Sequence, residues 1–168
     1  MKTPELFGVR INWQTCGHET FALFAKQEDA AQLAAAYDYE NPAKVKGAKF
    51  ALGKPEQFTI EADAPLFEVS HTSDYDGGSG DGSDLRTVED TLKSLSGTPL
   101  ASFTATSLFE AAKGRKVGTM IATRKYRVPI RAGQDYGRRK YWHVSIRLSY
   151  AGTAAEYMQR QNKEEKAA

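Results

Sequence analysis

Residues 117–150 read VGTMIATRKYRVPIRAGQDYGRRKYWHVSIRLSY, and the pattern of this stretch decides the fold class. In its second half Trp142, Val144, Ile146, Leu148 and Tyr150 alternate with Tyr141, His143, Ser145 and Arg147. That is the period of two that sends successive side chains to opposite faces of a strand. Val117 to Arg131 reads as a second long strand, and Ala132 to Gly137 as the connection between them. An antiparallel hairpin is predicted over 117–150, with one apolar face and one polar, basic face.

Upstream, Phe7, Val9, Ile11 and Trp13 alternate with Gly8, Arg10 and Asn12, which predicts a half-buried strand. Phe21 to Phe24 continues in β character, and Gln27 to Tyr37 becomes alanine-rich with Glu28 and Asp29 in the first turn, as a helix start favours. Short strands are predicted at Lys49–Leu52, Phe58–Ala62 and Leu66–His71, separated by Gly53-Lys54-Pro55 and Asp63-Ala64-Pro65.

Asp74 to Asp84, DYDGGSGDGSD, reads as a mobile surface loop. Its acidic spacing does not make a calcium loop of the EF-hand kind, because glycine falls at the wrong place and Leu85 stands where the closing glutamate is required. A single copy also cannot stack as β-roll calcium repeats do. Next, Leu85, Val88, Leu92 and Leu95 predict a helix, capped by Ser83 or Asp84 and closed by Gly97 and Pro99. A shorter helix is expected over Thr106–Ala112, with Ser107 and Glu110 spaced as a capping box and Gly114 as a stop. The stretch Leu100 to Thr104 between them reads as extended, and neither helix carries more than scattered positive charge, which argues against a helix-turn-helix reader of DNA. A last helix is expected at Thr153–Gln161, followed by a frayed tail at 162–168 that has no apolar anchor.

The expectation for the whole is a single α+β domain over residues 1–161, mostly antiparallel sheet with two or three helices and a long basic C-terminal β-hairpin, and a flexible tail at 162–168. A chain of 168 residues that is 40% hydrophobic can bury such a core without staples. The lone Cys16 excludes an intramolecular disulfide framework and a multi-cysteine zinc site. The start MKTPELFGVRINW lacks the apolar run of a signal peptide, and no stretch approaches the roughly 18 to 20 apolar residues that span a bilayer. A cytoplasmic protein with no membrane partner and no cofactor is therefore expected.

The net charge of +2 conceals a division. Residues 1–110 hold 9 Lys and Arg against 17 Asp and Glu, a balance of −8, whereas residues 111–168 hold 14 against 4, a balance of +10. Between 113 and 147 there are 11 basic residues and one acidic residue, Asp135. Basic side chains neutralise phosphates and release counterions, and tyrosine rings stack on unpaired bases, so this region is the candidate nucleic-acid contact. Its basic members are Lys113, Arg115, Lys116, Arg124, Lys125 and Arg127, then Arg131, Arg138, Arg139, Lys140 and Arg147. Tyr126, Tyr136 and Tyr141 are the candidate stacking rings.

Most catalytic constellations are absent: there is no phosphate-binding loop ending in Gly-Lys-Ser/Thr, no His-Glu-x-x-His and no Gly-x-Ser-x-Gly. His143-Val-Ser145-Ile resembles the His-x-Ser/Thr strand motif of the two-histidine phosphoesterases. That family uses two such motifs on neighbouring strands to cleave or transfer phosphate esters without metal. The partner motif departs from the pattern, since His71-Thr-Ser73 has Thr72 and Asp74, and His18-Glu-Thr20 has Glu19, where the family prefers apolar residues. The expected function is a non-enzymatic accessory protein that binds nucleic acid or a nucleic-acid-handling complex. The alternatives are a charge-guided protein-binding inhibitor or assembly factor, and a metal-independent phosphoesterase.

Overall fold

The alternation of Phe7, Val9 and Ile11 becomes the central strand of a sheet in the computed structural model, which describes residues 2–12, 19–36, 55–74, 82–130 and 139–167. Among these residues there are four helices and two antiparallel sheets, an α+β architecture. The chain divides into two compact units, residues 1–64 with 153–168 and residues 65–152.

The first unit contains β1 (Glu5–Asn12), β2 (Glu19–Phe24), α1 (Gln27–Ala35) and β3 (Glu56–Glu61), with the C-terminal helix of the chain, Ala154–Ala167. Its strands run antiparallel in the order β2-β1-β3. Val9 and Ile11 face Ala30 and Ala34 of α1, with Phe7, Phe24 and Leu33 packed around them. The opposite face carries Gly8, Arg10, Phe21 and Phe58. Gly8 is required there, because a Cβ at this position would lie 2.3 Å from the Phe58 ring that covers it. The Arg10 guanidinium lies over both rings, 5.4 Å from the centre of Phe58 and 5.8 Å from that of Phe21. Tyr157 of the C-terminal helix meets Phe21 edge-on at 5.6 Å.

Strand β2 is an edge, and the same helix closes it. The Tyr157 hydroxyl donates to the Phe21 carbonyl at 2.7 Å. One turn on, the Gln161 side-chain amide accepts from the Leu23 N–H and donates to the Leu23 carbonyl, both at 3.0 Å. Residues four apart on a helix thus satisfy the carbonyls of Phe21 and Leu23 and the N–H of Leu23, groups two residues apart on the strand. Burial raises the Tyr157 phenol above the usual tyrosine range, reinforced by the charge of Glu164.

The second unit contains β4 (Pro65–Ser73), β5 (Gly82–Arg86), α2 (Val88–Leu95), α3 (Ala105–Ala112), β6 (Met120–Pro129) and β7 (Tyr141–Thr153), so the C-terminal helix is α4. Its sheet order is β5-β4-β7-β6. Phe67 and Val69 of β4 and Ile146, Leu148 and Tyr150 of β7 form one core with Leu95 of α2 and Leu108 and Ala112 of α3. Helices therefore cover one face of this sheet.

Several sequence expectations shift here. Gly82–Arg86 is a strand paired with β4, with Leu85 opposite Glu68 and Arg86 opposite Phe67, so Leu85 does not open the helix. Thr87 caps α2 instead of Ser83 or Asp84: its hydroxyl accepts from the Asp90 N–H at 3.2 Å, with Glu89 and Asp90 in the first turn. In α3 the capping box is one turn earlier than expected, between Thr104 and Ser107, because Ser107 is the residue that reaches back. Leu100 to Phe103 forms successive turns rather than an extended stretch. Gly97 and Gly114 do end the two helices, with φ of 75° and 65°. The last helix runs to Ala167, past Gln161. The strand expected at Lys49–Leu52 lies outside the described residues, as do Cys16 and His18.

Candidate nucleic-acid interface

The register of the hairpin decides which basic side chains share a face. Lys125 stands opposite Ser145, Arg127 opposite His143 and Thr123 opposite Arg147. These positions alternate with Trp142, Ile146 and Leu148, which are buried. They form the open face of β6 and β7, on the side away from α2 and α3. Lys125, Arg127 and Arg147 are exposed, and among the described residues Lys125 and Arg127 have no carboxylate partner. Tyr141 closes the row: it is 40% exposed, and the Arg127 guanidinium lies 4.9 Å from its ring centre.

A second cluster borders this face. Asp74, just after β4, accepts the His143 backbone N–H on Oδ1 at 2.8 Å and meets His143 Nδ1 through Oδ2 at 3.0 Å. The Asp74 N–H donates to the His143 carbonyl at 3.2 Å. Arg139 also ion-pairs with Asp74 Oδ2, donates from Nε to the Tyr141 carbonyl at 3.1 Å, and lies over Trp142 at 5.0 Å. His143 Nδ1 lies 3.0 Å from Asp74 Oδ2, which only accepts, and 3.4 Å from Arg139 Nη2, which only donates; the nearer carboxylate favours a hydrogen on Nδ1 and leaves Nε2 for other partners.

Between these groups is an open cleft of about 490 Å³, lined by Thr72, Ser73 and Asp74 of the β4 end, Lys125 to Arg127 of β6, and His143 to Ser145 of β7. By strand alternation Thr72 shares the face of His143 and Ser145, whereas His71 shares that of the buried Phe67 and Val69. The sheet therefore does not bring His71 and His143 to one face, although both belong to His-x-Ser motifs.

The basic positions expected to act together are thus divided. Lys125, Arg127, Arg147 and Tyr141 share the open face. Arg124 and Tyr126 alternate to the other side, where Tyr126 packs against the core and Arg124 donates to the Thr123 carbonyl at 2.8 Å. Arg139 is engaged by Asp74, and Lys140 is exposed at the start of the returning strand. Lys113, Arg115 and Lys116 lie beyond the end of α3, where Lys113 pairs with Glu110 at 2.8 Å. Arg131, Tyr136 and Arg138 lie outside the described residues. Thr72, Asp74 and Ser145 were absent from the expected interface. Ser145 is reachable from the alternation of its strand, but Thr72 and Asp74 arrive through the β4–β7 pairing, which bridges distant segments.

Among the described residues no group of three or more His, Cys, Asp or Glu side chains could hold a metal ion, and no helix is long and apolar enough to cross a membrane. Fold and site together define an α+β protein with a helix-backed sheet whose other face carries Lys125, Arg127 and Arg147 on β6 and β7 and, at β4, Glu68 and Asp74. No protein-family model, no curated protein and no solved structure matches the chain.

Proposed function

We propose that this chain is a non-enzymatic accessory protein that binds nucleic acid through the open face of β6 and β7. The observation that carries the reading is the convergence of Lys125, Arg127 and Arg147 on one face beside the exposed ring of Tyr141. Cations displayed without carboxylate partners attract a polyanion, and a rigid sheet holds them at fixed spacing for successive phosphates. An exposed tyrosine adds a stacking platform that an unpaired base can use and a duplex cannot, so the favoured ligand is single-stranded. The neighbouring acid does not oppose this, because Asp74 is held by Arg139 and His143.

The test is a fluorescence-anisotropy titration of the full chain against labelled single strands and duplexes of DNA and RNA at low salt. Saturable binding with preference for single strands supports the reading. Absence of binding to every probe overturns it.

A further inference from the structure

We infer that the cleft beside His143 takes a terminal phosphomonoester, the phosphorylated end of a nucleic acid strand, as distinct from the internal phosphodiesters that the open face attracts. The inference rests on the nucleic-acid reading and deepens it. Three features of the cleft carry it.

The first is charge. Lys125 and Arg127 line the cleft as cations, and its one acidic residue, Asp74, is ion-paired with Arg139. The cleft therefore presents about two uncompensated positive charges. A phosphomonoester carries roughly −1.5 to −2 near neutral pH, where a phosphodiester carries a single charge.

The second is the His143 ring. Its Nδ1 is engaged by the Asp74 carboxylate at 3.0 Å, so Nε2 is the ring atom left for a ligand in the cleft. The P–OH of a phosphomonoester can share its proton with Nε2, whereas a phosphodiester has no proton to share.

The third is the supply of hydroxyls and of room. Ser145 sits across from Lys125, and Thr72 enters on the same face from β4, so donors from three adjacent strands surround one location. A phosphate group has three free oxygens to meet them only when it is terminal. The volume of about 490 Å³ is that of a small-ligand pocket and accommodates the nucleoside as well as its phosphate.

The experiment compares single strands of one sequence with hydroxyls at both ends, with a 5′-phosphate and with a 3′-phosphate, and adds thymidine 5′-monophosphate as a free nucleotide. Binding is read by anisotropy or by calorimetry for the mononucleotide. At least one phosphorylated strand is expected to bind about tenfold more tightly than the hydroxyl strand, the ratio that one charge-assisted hydrogen bond confers. His143→Ala should remove that advantage, so that phosphorylated and hydroxyl strands bind this variant equally. Lys125→Gln, an exposed substitution that folding tolerates, should reduce the advantage as well. Equal affinity for all three strands overturns the inference while the nucleic-acid reading stands, and no binding of any strand overturns both. Thymidine 5′-monophosphate binding as tightly as the phosphorylated strand overturns the assignment to a strand end.

Discussion

The carboxylate of Asp74 grips His143 twice, taking its backbone N–H on one oxygen at 2.8 Å and meeting its ring on the other at 3.0 Å. One side chain therefore ties the end of β4 to β7 and holds Nδ1 of a ring that borders the cleft. Asp74→Asn keeps the shape and removes the charge that the ring and Arg139 share. The expected cost in stability is modest, under about 1 kcal/mol, because Asp74 is 39% exposed and solvent screens its ion pair. The sharper readout is the ring itself: nitrogen NMR should show His143 losing its preference for hydrogen on Nδ1. An unchanged preference would mean that Asp74 does not orient the ring.

The edge of β2 gives a test of the first unit. Leu23 is fully buried, and its backbone N–H and carbonyl are satisfied by the Gln161 amide. Gln161→Ala leaves both without their partner, at a cost of about 1 to 3 kcal/mol. Amide exchange at Leu23 should accelerate strongly in this variant, while exchange at Val9, inside the sheet, changes only with global stability. Unaltered protection at Leu23 would contradict this closure of the edge.

Tyr157 predicts a dependence on pH. Burial raises its phenol, so the folded chain holds this proton to higher pH than the unfolded chain does. The associated stabilisation is complete below the ordinary tyrosine range and is lost as pH rises through it towards the folded value. Tyr157→Phe removes the hydrogen bond to the Phe21 carbonyl and should cost about 0.5 to 1.5 kcal/mol at neutral pH. The gap between native and variant should narrow at alkaline pH, since the variant has no proton to lose there. Denaturant midpoints at neutral pH and above the tyrosine range measure both; a gap that widens with alkali would refute the assignment.

Gly8 tests the packing of the opposite face of that sheet. Gly8→Ala places a methyl group 2.3 Å from a Phe58 ring already confined by Phe21 and Arg10, so the ring must move. A loss of roughly 1 to 3 kcal/mol is expected, as for overpacking elsewhere. A Gly8→Ala, Phe58→Ala double variant should recover part of the loss attributable to the clash, and strict additivity would show that the ring is not the obstacle.

Much of the fold was legible where a single periodicity governs. Phe7, Val9 and Ile11 read as a strand because alternate residues meet α1, and Trp142 to Tyr150 because alternate residues enter the core. The hairpin was legible because its two strands are close in sequence. Gly82–Arg86 was not: GSDLR has little intrinsic β preference, and it is a strand because the edge of β4 is there to receive it. The same limit applies to the site. The basic run Arg124-Lys125-Tyr126-Arg127 looks continuous in sequence, yet the pleat sends Lys125 and Arg127 one way and Arg124 and Tyr126 the other. Asp74 and Thr72 reach the cleft only through pairing between segments far apart in the chain.

The division of the basic residues supplies the most direct test of the proposed function. Anisotropy titrations of a single-stranded oligonucleotide at several salt concentrations give the slope of log affinity against log salt for native chain, for Lys125→Gln with Arg127→Gln, and for Lys113→Gln with Lys116→Gln. If the open sheet face meets the phosphates, the first pair should weaken binding and flatten the slope by about one unit for each contact removed. The second pair, beyond α3 and partly engaged by Glu110, should leave both nearly unchanged. Equal effects of the two pairs, or a slope that neither alters, would contradict the assignment of this face.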